Sequence, residues 1–544
     1  MTDDGFWQHF ANVPWATVLT TLRGYTISSA SGAGPVVAEA HSRYLMLLRI
    51  LSLAGPLWVY ATIAVLAYGI VRERNRFDWA ALVLGAAALL ATALFLSSTH
   101  RLFFDEDIYI NVASNLTRAP VNQVTLMGDP NQVQVSTYNK EPAGWPVLLS
   151  FAFLIAGRSE SVAFWFARLL FALAVAALYQ LARELLPTRR QAVLAALLFG
   201  VTPVCVWYSV STGTDIPSAL MAILGMWGLA TGNGPLAAAG LALAAQTRLE
   251  LLVLIPLVWL SPKISPKWKI GAAALVLFEI VHVMWLMSVV PVLARAAELS
   301  SAFGFRYVGR NLLDNLKYFF DPFAFPVAVS GFVAVFLWKK VRRPRAEVNA
   351  LILWILSLFA VYLCFFAGSF QMNPRYSIQI VAPMTILAAS LAKRPVWIGV
   401  LLLSAIVAAT QRHETTPYFK ALEADHRLSI QFASRLDPDG VIVSGAQEVF
   451  INYGRSALSA PFTSTGKIGL EDEIRKHPKV WYHAGVRANI PNSEEWRADQ
   501  WLKSNFELRL IDSHEVNGYT IAFYEILLKG FAKEIDRPGL IPRG

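Results

Sequence analysis

Apolar residues run along this chain in stretches of about 20, the length a helix needs to cross roughly 30 Å of hydrocarbon; the first two are residues 44–70 and 78–98. Further stretches occupy 164–182, 191–209, 216–230, 270–290, 323–337, 348–367, 377–392 and 396–410. Residues 235–260 differ, because two apolar halves flank Gln246-Thr247-Arg248-Leu249-Glu250, leaving either one helix with charges near its middle or a hairpin. The polar segments between the spans decide. Lys/Arg clusters fall at 71–76, 182–190, 261–269, 339–345 and 392–395, and such clusters stay on the cytoplasmic side. All of them share that side only if the chain turns at Arg248, so the pattern predicts two half-length helices there, with Arg248 and Glu250 facing outward. Interrupted helices survive in a membrane only where their loose backbone ends face protein or a watery cavity.

This parity places residues 1–43, the loops 100–161 and 291–322, the turn 368–377 and everything after 410 on the outer face. Within the first long loop, residues 145–156 are apolar but too short to cross, so they are expected to lie at the interface and floor a cavity. The expected architecture is a polytopic α-helical membrane protein of about 12 transmembrane helices, carrying a C-terminal extracytoplasmic α/β domain. Its divisions are an outer leader (1–43), a transmembrane domain (44–410) with a catalytic outer loop (100–161), a soluble domain (411–530) and a tail (531–544).

Composition agrees with a lipid solvent: of 544 residues, 55% are hydrophobic and only 15% charged, against about 25% charged in soluble chains. The net charge of +10 could suggest nucleic acid, but the basic residues sit in the short clusters already explained, so nucleic acid is set aside. Cys205 and Cys364 each lie in an apolar stretch, which excludes a disulfide framework or a thiolate metal site. The first fifteen residues lack a secretory signal's basic start and cleavage site, so the helices are expected to direct insertion. The expected location is the plasma (inner) membrane.

After residue 410 the pattern becomes that of a soluble α/β module, with a helix near 422–436 and buried strands at 440–445 and 479–484. Asn492 and Glu495 read as a capping box, and Asn517-Gly518 as a hairpin turn between alternating runs. The tail reads as disordered. No nucleophile, metal-ligand set or phosphate loop stands out, so acceptor docking or packing is assigned to this region.

The candidate chemistry lies elsewhere. Asp105, Glu106 and Asp107 open an amphipathic stretch with Ile108, Val112 and Leu116 at helical spacing; these carboxylates either cap a helix N-terminus or include a base, since partial desolvation makes a carboxylate a better proton acceptor. Asp105 is the expected base. Lys140 and Glu141 precede the short apolar helix, where a lysine either snorkels or meets a substrate. Arg248 and Glu250 either pair with each other or serve a site. Arg375 opens an outer-side helix against both the helix dipole and the positive-inside bias, so an anion is expected to compensate it. Arg306 and Arg310 could meet lipid headgroups or a substrate phosphate, and Asp215 reads as a cap before Pro217. An outer cavity with a base and several arginines suits a phosphodiester losing a phosphate leaving group.

These residues resemble the GT-C superfamily of membrane glycosyltransferases, in the branch of protein O-mannosyltransferases and lipid A aminoarabinose transferases. The marks are Asp105-Glu106-x-x-Tyr109, Lys140-Glu141-Pro142 before an apolar helix, residues 167–190, Thr247-Arg248, and Arg375-Tyr376 with Pro383 downstream. The resemblance implies a polyprenyl-phosphate sugar donor and an inverting displacement, with the catalytic part given to Asp105 and Glu106. It implies that Lys140, Arg248, Arg375 and Tyr376 hold the lipid phosphate, with Arg306 and Arg310 as further candidates and Tyr109, Glu141, Asp215 and Glu250 behind them. Membrane lipids, that donor, and a protein, lipid A or envelope-glycan acceptor are the implied partners. No nucleotide or other cofactor is expected; some relatives use a divalent cation at the acidic loop, and this branch is expected to work without one. Departures are Glu141 where a second proline is common, Arg248 where lysine is common, and an added span at 44–70. A transporter using Asp105, Arg248 and Glu250 along its path is the main rival, but no matching interrupted pair occurs in the other half. A non-catalytic subunit that binds a partner through its outer domain is the third reading. Asn115-Leu116-Thr117 fits a glycosylation sequon, a triplet common by chance.

Overall fold

The computed structural model describes residues 35–125, 128, 142–289, 303–321, 346–390, 399, 403–408, 416–466 and 468–529. Lys140, Glu141, the expected span at 323–337, the basic cluster at 339–345, the tail and most of the leader lie outside the described residues, as does most of the expected span at 396–410.

Helices form where the apolar stretches predict them: Pro35–Arg72, Ala80–Phe95, Glu160–Leu185, Arg189–Val201, Asp215–Thr231, Gly234–Thr247, Pro266–Val289, Ala346–Cys364 and Ile378–Ser390. The first begins at Pro35, within the stretch 1–43 expected as the leader. Among the described residues, Leu53–Arg72 and Glu160–Leu185 are long and apolar enough to cross a membrane singly, while Ala80–Phe95, Gly144–Ala156 and Asp215–Thr231 are shorter apolar helices. The stretch 191–209 breaks at Thr202, where Pro203 starts the short helix Pro203–Tyr208, because proline cannot donate into the preceding turn. Asp215–Thr231 and Gly234–Thr247 are buried along nearly their whole lengths, as helices that are apolar on every side must be. They touch through small residues: a Cβ on Gly228 would collide with the backbone of Leu236 and Ala237. Gly228→Ala is therefore expected to cost about 1–3 kcal/mol of stability by overpacking, read as a lowered midpoint of thermal unfolding in detergent.

The break at Arg248 is real. Gly234–Thr247 has 14 residues and climbs about 21 Å; Arg248 follows in extended geometry, then a 3-10 turn over Leu249–Leu254 and the helix Pro256–Leu260. The chain has then returned to its starting end, because Lys263 Nζ donates to Ala230 O at 2.9 Å and Gly234 packs on Trp268. This is the predicted hairpin.

The three basic clusters among the described residues, 71–76, 182–190 and 261–269, collect at that same end. Asn233 Nδ2 donates to Gly69 O (2.8 Å) and to Glu73 (2.9 Å), while Arg189 pairs with Asp78 at 2.8 Å. Gln191 Nε2 reaches Ser390 O at 3.1 Å, bringing in the segment before residues 392–395. Asp105, Arg248 and Arg375 belong to the opposite end.

At that opposite end the helix Phe104–Leu116 packs against Gly144–Ala156. The latter buries Trp145, Val147, Leu149 and Phe153 and leaves Ile155 87% exposed, the two-faced pattern expected of a helix lying at an interface. Gly144 must be glycine, since a Cβ there would stand 2.5 Å from Gln246 O; this approach seats the short helix against the turn at Arg248.

The C-terminal region is a five-stranded sheet of order β2-β1-β3-β5-β4. Its strands are β1 (Val441–Ser444), β2 (Ala457–Ser459), β3 (Val480–Ala484), β4 (Glu507–Val516) and β5 (Tyr519–Leu527). β1 runs parallel to β2 and β3, and β5 runs antiparallel to β3 and β4. Asn517 and Gly518 both take positive φ, 52° and 82°, as a tight hairpin turn requires. The helix cap falls one residue later than the sequence suggests: Ser493, not Asn492, accepts from Trp496 N at 2.9 Å, while Glu495 faces Arg487. Pro417–Arg435 supplies the long helix of this region.

Candidate active site

The loop entering Phe104–Leu116 has to expose three backbone N–H groups, and Glu106 takes them. Its Oε2 accepts from Arg101 N (2.6 Å), Leu102 N (2.8 Å) and Phe103 N (3.2 Å). Its Oε1 accepts from Ser211 Oγ and Thr212 N, both at 2.8 Å. Fully buried and saturated with donors, Glu106 is the anchor of the acidic loop and not the second proton-handling group expected of it. The capping reading thus fits Glu106, and the reading as a base is left to Asp105.

Asp105 is only partly withdrawn from solvent. Its side chain is 41% exposed and its Oδ2 lies 3.1 Å from Arg375 Nη1. The anion expected to compensate Arg375 is thus Asp105 itself. Burial works against the Arg375 charge, but Asp215, Tyr376 and Asp105 outweigh it and raise its pKa above the ordinary arginine value. Asp105 and Arg375 share the wall of a cavity of about 310 Å³ with Arg101, Trp207, Tyr208, Asn373 and Phe419. Two guanidinium groups against one carboxylate leave it net positive.

Behind the cavity, the Tyr376 ring lies between two cations, 5.3 Å from the Arg375 guanidinium and 5.0 Å from that of Arg248. It stacks on Tyr362 with centroids 5.2 Å apart. Arg248 is 8% exposed and fully engaged, pairing with Asp215 Oδ1 and, through Nε at 2.9 Å, with Glu250 Oε1. Asp215 is more than the cap read in the sequence, and Arg248 supports the site from beneath through Tyr376. Tyr109 is buried on the face of its helix directed into the protein. Among the described residues, Arg306 and Arg310 do not line the cavity. They lie exposed near Tyr307, where Arg310 donates to Phe366 O at 2.5 Å. The reason is that Asn311 and Asn315, on the buried face of Val308–Phe320, bond the loop at 362–368 and turn the arginines outward.

Other groups at this end carried no signal in the sequence. His100, just before the acidic run, directs Nδ1 to Glu106 Oε2 (3.2 Å) and Nε2 to Glu160 Oε1 (3.3 Å). The His426 ring, from the C-terminal region, lies 4.4 Å from the His100 ring. Burial opposes a charge on His100, yet Asp107, Glu106 and Glu160 outweigh it and hold its pKa well above the ordinary range. His426 is pushed up to about 9 by Asp107 and Glu160 against burial and His100. Asn452 Nδ2 donates to Asp107 O at 3.1 Å, a second tie from the C-terminal region. Within that region Ser444, His483 and Asp425 form a hydrogen-bonded chain of 2.9 and 2.7 Å. Ser444 is wholly buried and also accepts from Ala446 N, so the chain braces the loop after β1. Histidines and polar residues of this kind are scattered through any sequence, and only their convergence marks them.

Residues 140–285 match the family model described as dolichyl-phosphate-mannose-protein mannosyltransferase. The fold is similar to the crystal structure of ArnT from Cupriavidus metallidurans bound to undecaprenyl phosphate. That likeness has a TM-score of 0.53 at 14% identity, over 81% of this chain and 97% of that one. Against the same protein in its apo state the TM-score is 0.50 at 12% identity, with the same coverage. No sequence among curated proteins matches. The architecture is therefore a polytopic helical membrane fold similar to that of ArnT.

Proposed function

We propose that this chain, with its GT-C fold, transfers a sugar from a polyprenyl-phosphate carrier to an acceptor on the extracytoplasmic side of the membrane. The observation that carries the reading is the contact of Asp105 with Arg375 on the wall of a net-positive cavity. When a lipid phosphate enters, its oxygens compete with the Asp105 carboxylate for the Arg375 fork, which suits phosphate geometry. Asp105, released, takes the proton of the acceptor hydroxyl or amine as that atom attacks the anomeric carbon. The bond from that carbon to the phosphate oxygen breaks, and its electron pair leaves with the phosphate onto Arg375. Attack opposite the leaving group inverts the anomeric centre. Lys140, four residues before Gly144 in the sequence, is a further cation for the phosphate, and Arg248 and Tyr376 hold Arg375 in place.

Sidedness follows from the charge pattern. Basic clusters gathered at one end of the bundle stay cytoplasmic, so the cavity at the other end faces outward. On this reading residues 44–410 supply about a dozen spans, the leader lies outside, and residues 411–530 form an extracytoplasmic domain that docks the acceptor or packs on the loop 100–161. The acceptor is a protein, lipid A or envelope glycan. Neither the family match nor the fold likeness is to a transporter, and that reading is not pursued.

Native mass spectrometry of the purified protein is expected to show bound polyprenyl phosphate or its glycoside. Arg375→Ala removes a charge-assisted hydrogen bond worth about 1.5–3 kcal/mol and is expected to cut that occupancy about tenfold or more. A protein that holds no such lipid even when it is supplied in excess would end the proposal.

A further inference from the structure

We propose that His100, Asp107, Glu160 and His426 form a metal-ion site, suited to Zn²⁺, that pins the C-terminal α/β region onto the cavity end of the helix bundle. Each offers one donor atom, and the four atoms lie within 4.8 Å of one another. Glu160 Oε1 stands 3.3 Å from both His100 Nε2 and His426 Nε2, and His426 Nε2 stands 3.8 Å from Asp107 Oδ1. A tetrahedral ion with bonds of about 2.0–2.2 Å holds its ligands about 3.3–3.6 Å apart. Two of the spacings fall in that range, a third is 3.8 Å, and the rest, within 4.8 Å, need only a small inward shift to close on an ion.

Two further observations point to an ion. His426 Nε2 is buried, on a side chain only 10% exposed, and faces the two carboxylates at 3.3 and 3.8 Å without a well-aligned hydrogen bond to either. A buried polar atom whose hydrogen-bond geometry is poor is better satisfied by a ligand placed between it and its neighbours. Second, the far side of the His100 ring is already committed: Nδ1 faces Glu106 Oε2 at 3.2 Å. A proton on Nδ1, held by a carboxylate that five donors lock in place, leaves the Nε2 lone pair for a metal. This is the carboxylate–histidine–metal arrangement that orients ligands in metalloproteins. Asn452 Nδ2, 3.2 Å from Asp107 Oδ1, steadies the third ligand.

Charge points the same way. Glu106, Asp107 and Glu160 bring three carboxylates into a buried space, against two imidazole rings only 4.4 Å apart. Protonating both rings sets two cations side by side, whereas one divalent ion brings the same two positive charges to the carboxylates as a single centre and leaves both rings neutral. Two imidazole nitrogens and two carboxylate oxygens favour Zn²⁺ over Mg²⁺ or Ca²⁺, which take oxygen ligands at higher coordination. The ligands come from the loop before Phe104–Leu116, from that helix, from the start of Glu160–Leu185 and from Pro417–Arg435, so the ion joins four segments. Asp105 is not among them and faces Arg375 instead, so the ion is a positioning element that sets the Asp105 helix. The proposal stands whether or not the sugar-transfer reading does.

The full-length protein is stripped with chelator in detergent, re-equilibrated with micromolar ZnCl₂, desalted, and its metal counted by plasma mass spectrometry. One zinc per chain is expected, with a raised thermal midpoint. His426→Ala and Glu160→Gln are each expected to fall below a tenth of an equivalent, and His477→Ala, an exposed histidine far along the chain, to keep the full count. Co²⁺ in place of zinc reads the site without any substitution: strong visible absorption of a tetrahedral ion is expected in the unaltered protein. A stripped protein that takes up no stoichiometric zinc and gives no such cobalt spectrum overturns the proposal. So does an uptake that His426→Ala leaves unchanged.

Discussion

Asp105→Asn is expected to lower the rate of sugar transfer by about 10²–10⁴, the range by which a positioned general base accelerates a reaction, with no loss of folded protein. The substitution keeps the size of the side chain, and the amide oxygen still accepts from Arg375 across the contact now spanning 3.1 Å. It removes the capacity to take up the acceptor's proton. Because the Asp105 side chain is 41% exposed, little burial is disturbed and the thermal midpoint should hold within a degree or so. The neighbouring charge adds a distinguishing sign. Neutralising Asp105 removes the competitor of the donor phosphate at Arg375, so lipid occupancy by native mass spectrometry should stay level or rise while turnover collapses. Initial rates with a synthetic polyprenyl-phosphate sugar, measured beside that occupancy, check both halves. Turnover retained above half of the unaltered rate would remove Asp105 from the mechanism.

The second large effect is on stability. Arg248→Met should destabilise the protein by about 3–5 kcal/mol, the loss seen when one partner of a buried ion pair is deleted and its counter-charge stays behind. Two carboxylates are stranded here. Asp215 is 1% exposed and Glu250 22%, and Asp215 Oδ2 is already buried without a partner, so the residue has no alternative donor. Methionine fills the volume but cannot answer either charge. The expected result is a sharply lowered unfolding midpoint and poor yield. Arg248→Lys, which restores the charge but not the fork reaching both acids, should recover only part of the loss. If Arg248→Met unfolds within about 0.5 kcal/mol of the unaltered protein, a surface-like effect, the buried cluster is not what holds this corner of the bundle together.

Arg248 also shows how much of the site the sequence displayed. The pair of charges between two apolar halves marked the interruption, and the five basic clusters demanded a turn there; the first is a property of a short window and the second needs only the order of charges along the chain. Whether Arg248 would meet a phosphate or a carboxylate was not legible, because Asp215 lies 33 residues away in sequence and reaches it only when two helices pack. Glu106 and Asp105 are adjacent and chemically alike, yet one is buried under five donors and the other faces the cavity. Their difference comes from Ser211 and Thr212, about a hundred residues on. Arg306 and Arg310 have the composition of a phosphate clamp, but Asn311 and Asn315 bury the opposite face of the helix that carries Arg310, and Arg306 lies exposed in the turn before it.

The cost of placing a residue in hydrocarbon depends on that residue and a window of about 20 neighbours. For that reason the sequence by itself determined the membrane-embedded helices, the hairpin at Arg248 and the grouping of basic loops at one end. Convergence of chemistry has no such local measure. Asp105 meets Arg375 across 270 positions of chain, and His426 meets Glu160 from a different folded region. Only the packing of buried helices, and the seating of the C-terminal sheet region against the acidic loop, decided which of the many charged side chains became neighbours.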